Sequence, residues 1–257
     1  MELAQLFTDK NVIIFFLLFA RMGGLLAFFP FYSHMAIPVT VKTSLSLYLV
    51  FVFFPVVQMN GIDALSAGNI VMMVMAEFGL GFIAGLALNL IFGALGLAGM
   101  QVSMVMGFSM ATVMDPTTQT NSPIISQMFT MMAVLTLLAF DGHHLILLFL
   151  SESINHIELG SFYPQDFMWE YLSKGFTHMF VMGFIIAFPI IALSILADVI
   201  FGMLMKTMPQ FNLLVVGFPI KIFLSVMVLV AILGSMMGIF KKEFIAAFEF
   251  LKALLAI

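Results

Sequence analysis

The sequence predicts an all-α, multi-pass membrane protein built of helical hairpins. Of its 257 residues, 63% are hydrophobic and only 9% charged, against about 25% charged in an ordinary soluble domain. Mean hydropathy is +1.19. The apolar residues gather into runs long enough for spans of roughly 20 helical residues. Runs this continuous exclude barrel strands, whose signature is alternation. Because unpaired backbone groups are costly in hydrocarbon, helices are what remains.

The runs fall at residues 11–32, 44–57, 67–100, 124–150, 178–205 and 213–240, the third long enough to hold more than one element. Breaks are expected at 30–38, 55–66, 107–123, 152–175 and 206–221, where prolines, glycines and polar residues cluster. Of these, 152–175 is the only long segment whose composition places it in water. The last stretch, KKEFIAAFEFLKALLAI, puts Lys242, Glu249 and Lys252 on one side and Phe244, Phe248, Leu251 and Leu255 on another. That is an amphipathic helix, suited to a membrane surface or to a partner.

Twenty-four methionines and 31 phenylalanines stand against four tyrosines and one tryptophan. Aromatic belts are therefore thin, which argues against a body wholly surrounded by lipid. The net charge of -4 is scattered, with only Lys241 and Lys242 adjacent, so neither a nucleic-acid surface nor a polybasic anchor is expected. The lack of cysteine removes disulfides, thiol catalysis and iron–sulfur clusters. No secretory signal is expected, since the first run contains Arg21 and no small-residue cleavage site follows. GxSxG, HExxH and GxxxxGK[ST] are all missing, so neither an enzyme nor a cofactor is expected.

Gly81, Gly85, Asn89 and Gly93 fall four residues apart and stack on one helix face, which invites close helix contact. Gly96 and Gly99 prolong that small surface, and Gly234 with Gly238 repeats the spacing. Arg21, Glu77, Asp141 and Asp198 lie in or beside apolar runs, where a charge costs about 2.5 to 3.5 kcal/mol even on the lenient scale. They read as a proton relay or as polar glue between helices, and the lack of an acid pair at helical spacing favours glue. In FDGHHL, Asp141, His143 and His144 offer metal ligands. Zinc wants three or four ligands in fixed geometry, however, and Gly142 marks a helix end, so a capped turn is favoured and no metal is expected. His34, His156 and His178 stand alone. Met106, Met110 and Met114 recur every four residues and lead into GFSMATVMDPTTQTNSP. Such thioethers can close around an irregular passage or simply fill gaps.

Three segments together resemble the FliR family of flagellar export-gate proteins. FARMGGLLAFFPFYSHMAIPVTVK carries Arg21, Gly24, Pro30, Ile37, Pro38 and Lys42. A second runs through Glu77, Gly81, Gly99, Gly107, Asp115 and Pro116. The most specific, LADVIFGMLMKTMPQFNLLVVGFPIK, carries Asp198, Gly202, Lys206, Pro209, Gln210, Asn212, Gly217, Pro219 and Lys221. The resemblance spans nearly the whole chain. MDPTTQTNSP and FDGHH look nearer to the flagellar branch than to the SctT-type injectisome branch. The equivalent injectisome subunit and a proton-coupled secondary transporter are the alternatives.

The resemblance implies a subunit of the flagellar type III export gate, in the bacterial inner membrane at the flagellar basal body. FliP and FliQ would join it in a helical hetero-oligomer, with FlhB and FlhA nearby, forming and plugging the passage for unfolded flagellar proteins. The chain would be one gate domain, FliP-like to about Tyr163 and FliQ-like over residues 164–257. The implied plug loop comprises Gly107, Phe108, Ser109, Met110, Met114, Asp115, Pro116, Thr117, Thr118, Gln119, Asn121 and Pro123. Met106, Met110 and Met114 would face the passage. Arg21, Pro38, Glu77, Gly81, Gly85, Asn89, Gly93, Asp198, Pro209, Gln210, Asn212, Gly217, Pro219 and Lys221 would serve helix packing and assembly.

Overall fold

A computed structural model describes residues 9–29, 38–57, 67–108, 123–208 and 213–255, and all regular structure among them is helical. The helices are α1 (Asp9–Phe28), α2 (Val39–Phe53, with a 3₁₀ turn over Phe54–Val56), α3 (Ala67–Met106) and α4 (Ile124–Ala139). They continue with α5 (Gly142–His156), α6 (Asp166–Thr207), a π-helical turn over Leu213–Gly217, and α7 (Phe218–Leu255). Among the described residues, five segments are long and apolar enough to cross a membrane: Lys10–Phe28, Val39–Val56, Gly68–Met106, Asp166–Thr207 and Val215–Leu255. Helices α4 and α5, broken at Phe140 and Asp141, pass the same test as a pair.

Prolines mark several helix starts. Pro38 caps α2 and Pro123 caps α4, with φ of -57° and -59°. The missing N–H of proline is harmless there, because a first-turn N–H has no intrahelical acceptor. The run from residue 67, which had room for two elements, is one helix of 40 residues. It contains no proline and ends at Gly107, whose φ of +89° suits glycine and whose N–H bonds the Met104 carbonyl at 3.2 Å.

The aqueous break at 152–175 is shorter than expected. Helix α5 runs to His156 and α6 begins at Asp166. An acid in the first turn complements the helix dipole, and Met168 and Leu172, one turn apart, are both buried. The break at 206–221 narrows likewise, because α6 reaches Thr207 and α7 accepts Pro219 in its first turn. Pro189 sits inside α6 without ending it, as membrane helices allow.

The chain packs as two compact units. The first comprises Met1–Leu90, Asp141–Gly175 and Phe244–Ile257. Leu17, Leu18 and Leu25 of α1, Leu80 and Leu88 of α3, Phe149 of α5 and Phe244, Leu251 and Leu254 of α7 are fully buried there or nearly so. The second comprises Ile91–Phe140 and Phe176–Glu243. Its buried residues include Ala98, Val102, Phe129, Ile190 and Phe240, and Phe92 meets Phe240 edge-on at 5.0 Å.

The amphipathic last stretch is the end of α7 and uses its own chain as partner. Phe244, Phe248, Leu251 and Leu255 are buried in the first unit while Lys242, Glu249 and Lys252 stay exposed. Tyr171 stacks on Phe250 at 3.4 Å beside them.

Glycines set the closest helix approach. A Cβ on Gly81 would strike the Arg21 carbonyl oxygen and lie 2.7 Å from the Leu25 nitrogen. On Gly24 it would lie 2.7 Å from the Phe78 oxygen, and on Gly85 2.7 Å from the Leu25 oxygen. Helices α1 and α3 therefore touch backbone to backbone, as small residues permit. Asn89 extends the same face and donates to the Phe28 carbonyl at 2.7 Å, supplying a last-turn acceptor of α1 with a donor. In the second unit Gly99 backs onto Ser126 of α4, whose hydroxyl donates to the Gly96 carbonyl at 2.9 Å, and Gly93 faces the Met179 thioether. At Gly234 and Gly238 a Cβ would meet nothing within 4 Å.

Candidate functional site

Two charged links and one polar segment stand out. Arg21 and Glu77 are both completely buried in the first unit. Arg21 Nε pairs with Glu77 Oε2, and Nη2 donates to Glu77 Oε1 at 3.0 Å and to the Ile157 carbonyl at 3.3 Å. Nη1 donates to the Ser153 carbonyl at 2.8 Å and to its hydroxyl at 3.4 Å. All five guanidinium N–H groups thus have acceptors. Glu77 Oε1 also accepts the Gly160 N–H at 2.6 Å. Gly160 has φ +81° and its missing Cβ leaves room for Met73, so both backbone and space require glycine. A buried ion pair offsets its desolvation only when it is well formed and its remaining groups are bonded; this one is bidentate and closed.

The knot ties α1, α3, the end of α5 and the connection after it. Reading the sequence marked Arg21 and Glu77 separately and missed Ser153, Ile157 and Gly160. These three act largely through backbone groups, which no side-chain pattern advertises.

In the second unit Lys221 Nζ lies 2.8 Å from both Asp198 oxygens. The lysine side chain is 8% exposed and the aspartate 58%. Ser194 faces Ser225 at 3.5 Å, and His178 Nε2 meets Glu243 Oε2 at 2.9 Å, so His178 is not isolated. Partners draw further from the 208–213 connection on both helices together, which makes this stretch of α6 and α7 an antiparallel hairpin. Near that connection Gly217 is buried in the π-helical turn and Pro219 is exposed. Pro209, Gln210 and Asn212 lie outside the described residues.

Of the implied plug, the structure describes Gly107, Phe108 and Pro123. Ser109, Met110, Met114, Asp115, Pro116, Thr117, Thr118, Gln119 and Asn121 lie outside the described residues. A Cβ on Gly107 would come 3.2 Å from the Phe218 ring, so the segment leaves α3 against the first residue of α7. Met106, expected to face the passage, is instead fully buried in its own chain. It shares a helix face with buried Val102 and Ser103, while Met100 and Met104 project.

The α4–α5 break was expected to be a capped turn marked by Gly142; Asp141 sits at the N-cap with left-handed backbone (φ 58°, ψ 27°), and its side chain makes no cap hydrogen bond.

Fold and contacts define a polytopic, all-helical membrane protein whose buried charges bind its own helices together. Its family follows from its relatives: the chain belongs to the bacterial export proteins, family 1, whose model matches residues 12–247. It is similar to the flagellar biosynthetic protein FliR of Bacillus subtilis (strain 168), at 28% identity over 246 residues and 95% of each chain. FliR of Escherichia coli (strain K12) is 25% identical over 83% of this chain and 81% of its own. FliR of Aquifex aeolicus (strain VF5) is 27% identical over 86% of each. The chain is a membrane-embedded subunit of the flagellar type III protein export gate.

Proposed function

We propose that this chain joins FliP and FliQ in the inner-membrane gate complex at the flagellar basal body, with FlhB and FlhA beside it. The segment from Gly107 to Pro123 plugs the passage for unfolded flagellar proteins at rest. The observation that carries assembly is the bareness of α6 and α7. At 42 and 38 residues each is about 60 Å long, roughly twice the hydrocarbon thickness of about 30 Å. In their most apolar windows only 28% and 17% of residues are buried within the chain, against 61% in α3. Lipid covers half such a length, and partner helices supply the rest.

The plug reading rests on chemistry. A segment with Pro116, Pro123 and a run of Thr, Gln, Asn and Ser does not continue a helix, and it suits a water-lined path enclosed by protein. Work is supplied by partners or by a gradient, with no catalytic step in this chain. The division near Tyr163 belongs to the same proposal, and the α6–α7 hairpin supports a FliQ-like second part.

Co-expression with FliP and FliQ, followed by purification through a tag on this chain, is the test of assembly. A discrete complex containing both is expected; a stable monomer or homodimer ignoring both overturns the reading. Asp198→Ala leaves the Lys221 ammonium buried without its counter-charge, at a cost of about 2 kcal/mol, and should lower recovery of that complex. Deleting residues 117–121 should leave the complex intact and raise ion conductance in proteoliposomes. Unchanged conductance would refute the plug.

A further inference from the structure

The turn between α4 and α5 carries polar groups that the export role does not use. Asp141, His143 and His144 each offer a ligand atom, and the three atoms lie within 4.8 Å of one another. Helix spacing brings Asp141 and His144, three residues apart, to one face, whereas the consecutive His143 and His144 side chains would point about 100° apart. Two local features accompany the cluster. Asp141 is the one non-glycine residue with positive φ among those described, and its carboxylate forgoes the helix-capping bond that aspartate ordinarily makes at this position. The His143 and His144 rings converge to 4.2 Å with 36° between their planes.

These groups have little else to bind. Asp141 Oδ1 is 3.5 Å from His144 Nδ1, long for a charged hydrogen bond. The Nδ1 atom of His143 is buried and has no hydrogen-bond partner, a state that calls for a specific explanation.

We propose that Asp141, His143 and His144 bind one divalent transition-metal ion, zinc foremost, with water completing the coordination. Two imidazole nitrogens and one carboxylate oxygen suit zinc, nickel or copper, whereas magnesium and calcium demand oxygen ligands throughout. Three protein ligands plus an open position is an established zinc arrangement. Ligands on one tetrahedral zinc stand about 3.4 Å apart, given bonds of about 2.1 Å. Asp141 and His144 are exposed enough to rotate inward by the difference. The site stands independently of the plug and of the gate partners.

The full chain, carrying an affinity tag without histidine and stripped with a chelator, would be titrated with zinc chloride by calorimetry. One zinc per chain is expected, with His143→Gln and His144→Gln each weakening binding about tenfold or more and His156→Gln leaving it unchanged. Magnesium chloride should give no heat. Wild-type chain gives a second readout if a variant is not recovered: zinc should protect His143 and His144, but not His156, from diethyl pyrocarbonate. Absence of binding, binding by either variant as tight as by the parent chain, or unprotected His143 and His144 overturns the site.

Discussion

Arg21→Ala should leave little folded chain to recover. Its loss strands the Glu77 carboxylate in a fully buried site with the Gly160 N–H as its remaining donor. Removing one partner of a buried ion pair costs about 3 to 5 kcal/mol, a large share of the roughly 5 to 15 kcal/mol that holds an ordinary domain. The measure is the fraction of chain still monodisperse in detergent after a temperature ramp. A double variant, Arg21→Met with Glu77→Leu, removes both charges and should fall less than Arg21→Ala. If Arg21→Ala melts with the parent, the knot contributes nothing and Arg21 must be sought in another role.

Gly81→Ala is expected to be nearly as damaging for so small a change. The new methyl meets backbone atoms of Arg21 and Leu25, which cannot rotate away as a side-chain tip would. Overpacking of this kind costs about 1 to 3 kcal/mol, and backbone on both sides favours the upper end. Glu77 lies one turn before Gly81 on α3, so pushing α3 off α1 also draws Glu77 from Arg21. The two variants should then couple, with Gly81→Ala plus Arg21→Ala costing less than the sum of the single changes. Gly234→Ala is the contrast: its Cβ meets nothing, and it should be neutral or stabilise α7 by up to about 1 kcal/mol. Equal melting of Gly81→Ala and Gly234→Ala would contradict the close crossing.

How much of this the sequence shows depends on range. The all-helical class and the approximate runs follow from hydropathy, which is local. The spacing of Gly81, Gly85 and Asn89 shows a small face, though not that α1 is what lies on it. Identical spacing at Gly234 and Gly238 leads to an open surface, because spacing reports a helix face and not its neighbour. Arg21 and Glu77 are 56 residues apart, and nothing in either flank announces the other. Helix ends were misjudged where polar residues proved to be first or last turns, as at Asp166 and His156. Met106 was assigned by period alone, and the same period serves a buried face as readily as an exposed one. Asp141 shows the deepest limit: a left-handed non-glycine residue has no signature in composition, and neither does the approach of the adjacent His143 and His144 rings.

The first unit is threaded from early, middle and final parts of the chain. Leu18 and Leu25 leave the ribosome near the start, yet they belong to the same unit as Leu251 and Leu254. At about 5 to 20 residues per second, α1 and the first half of α3 wait on the order of tens of seconds for the residues that complete them. During synthesis the bilayer holds an unfinished core, and the last few turns of α7 decide when it closes. Truncation near residue 243 would therefore harm the oldest part of the nascent protein most.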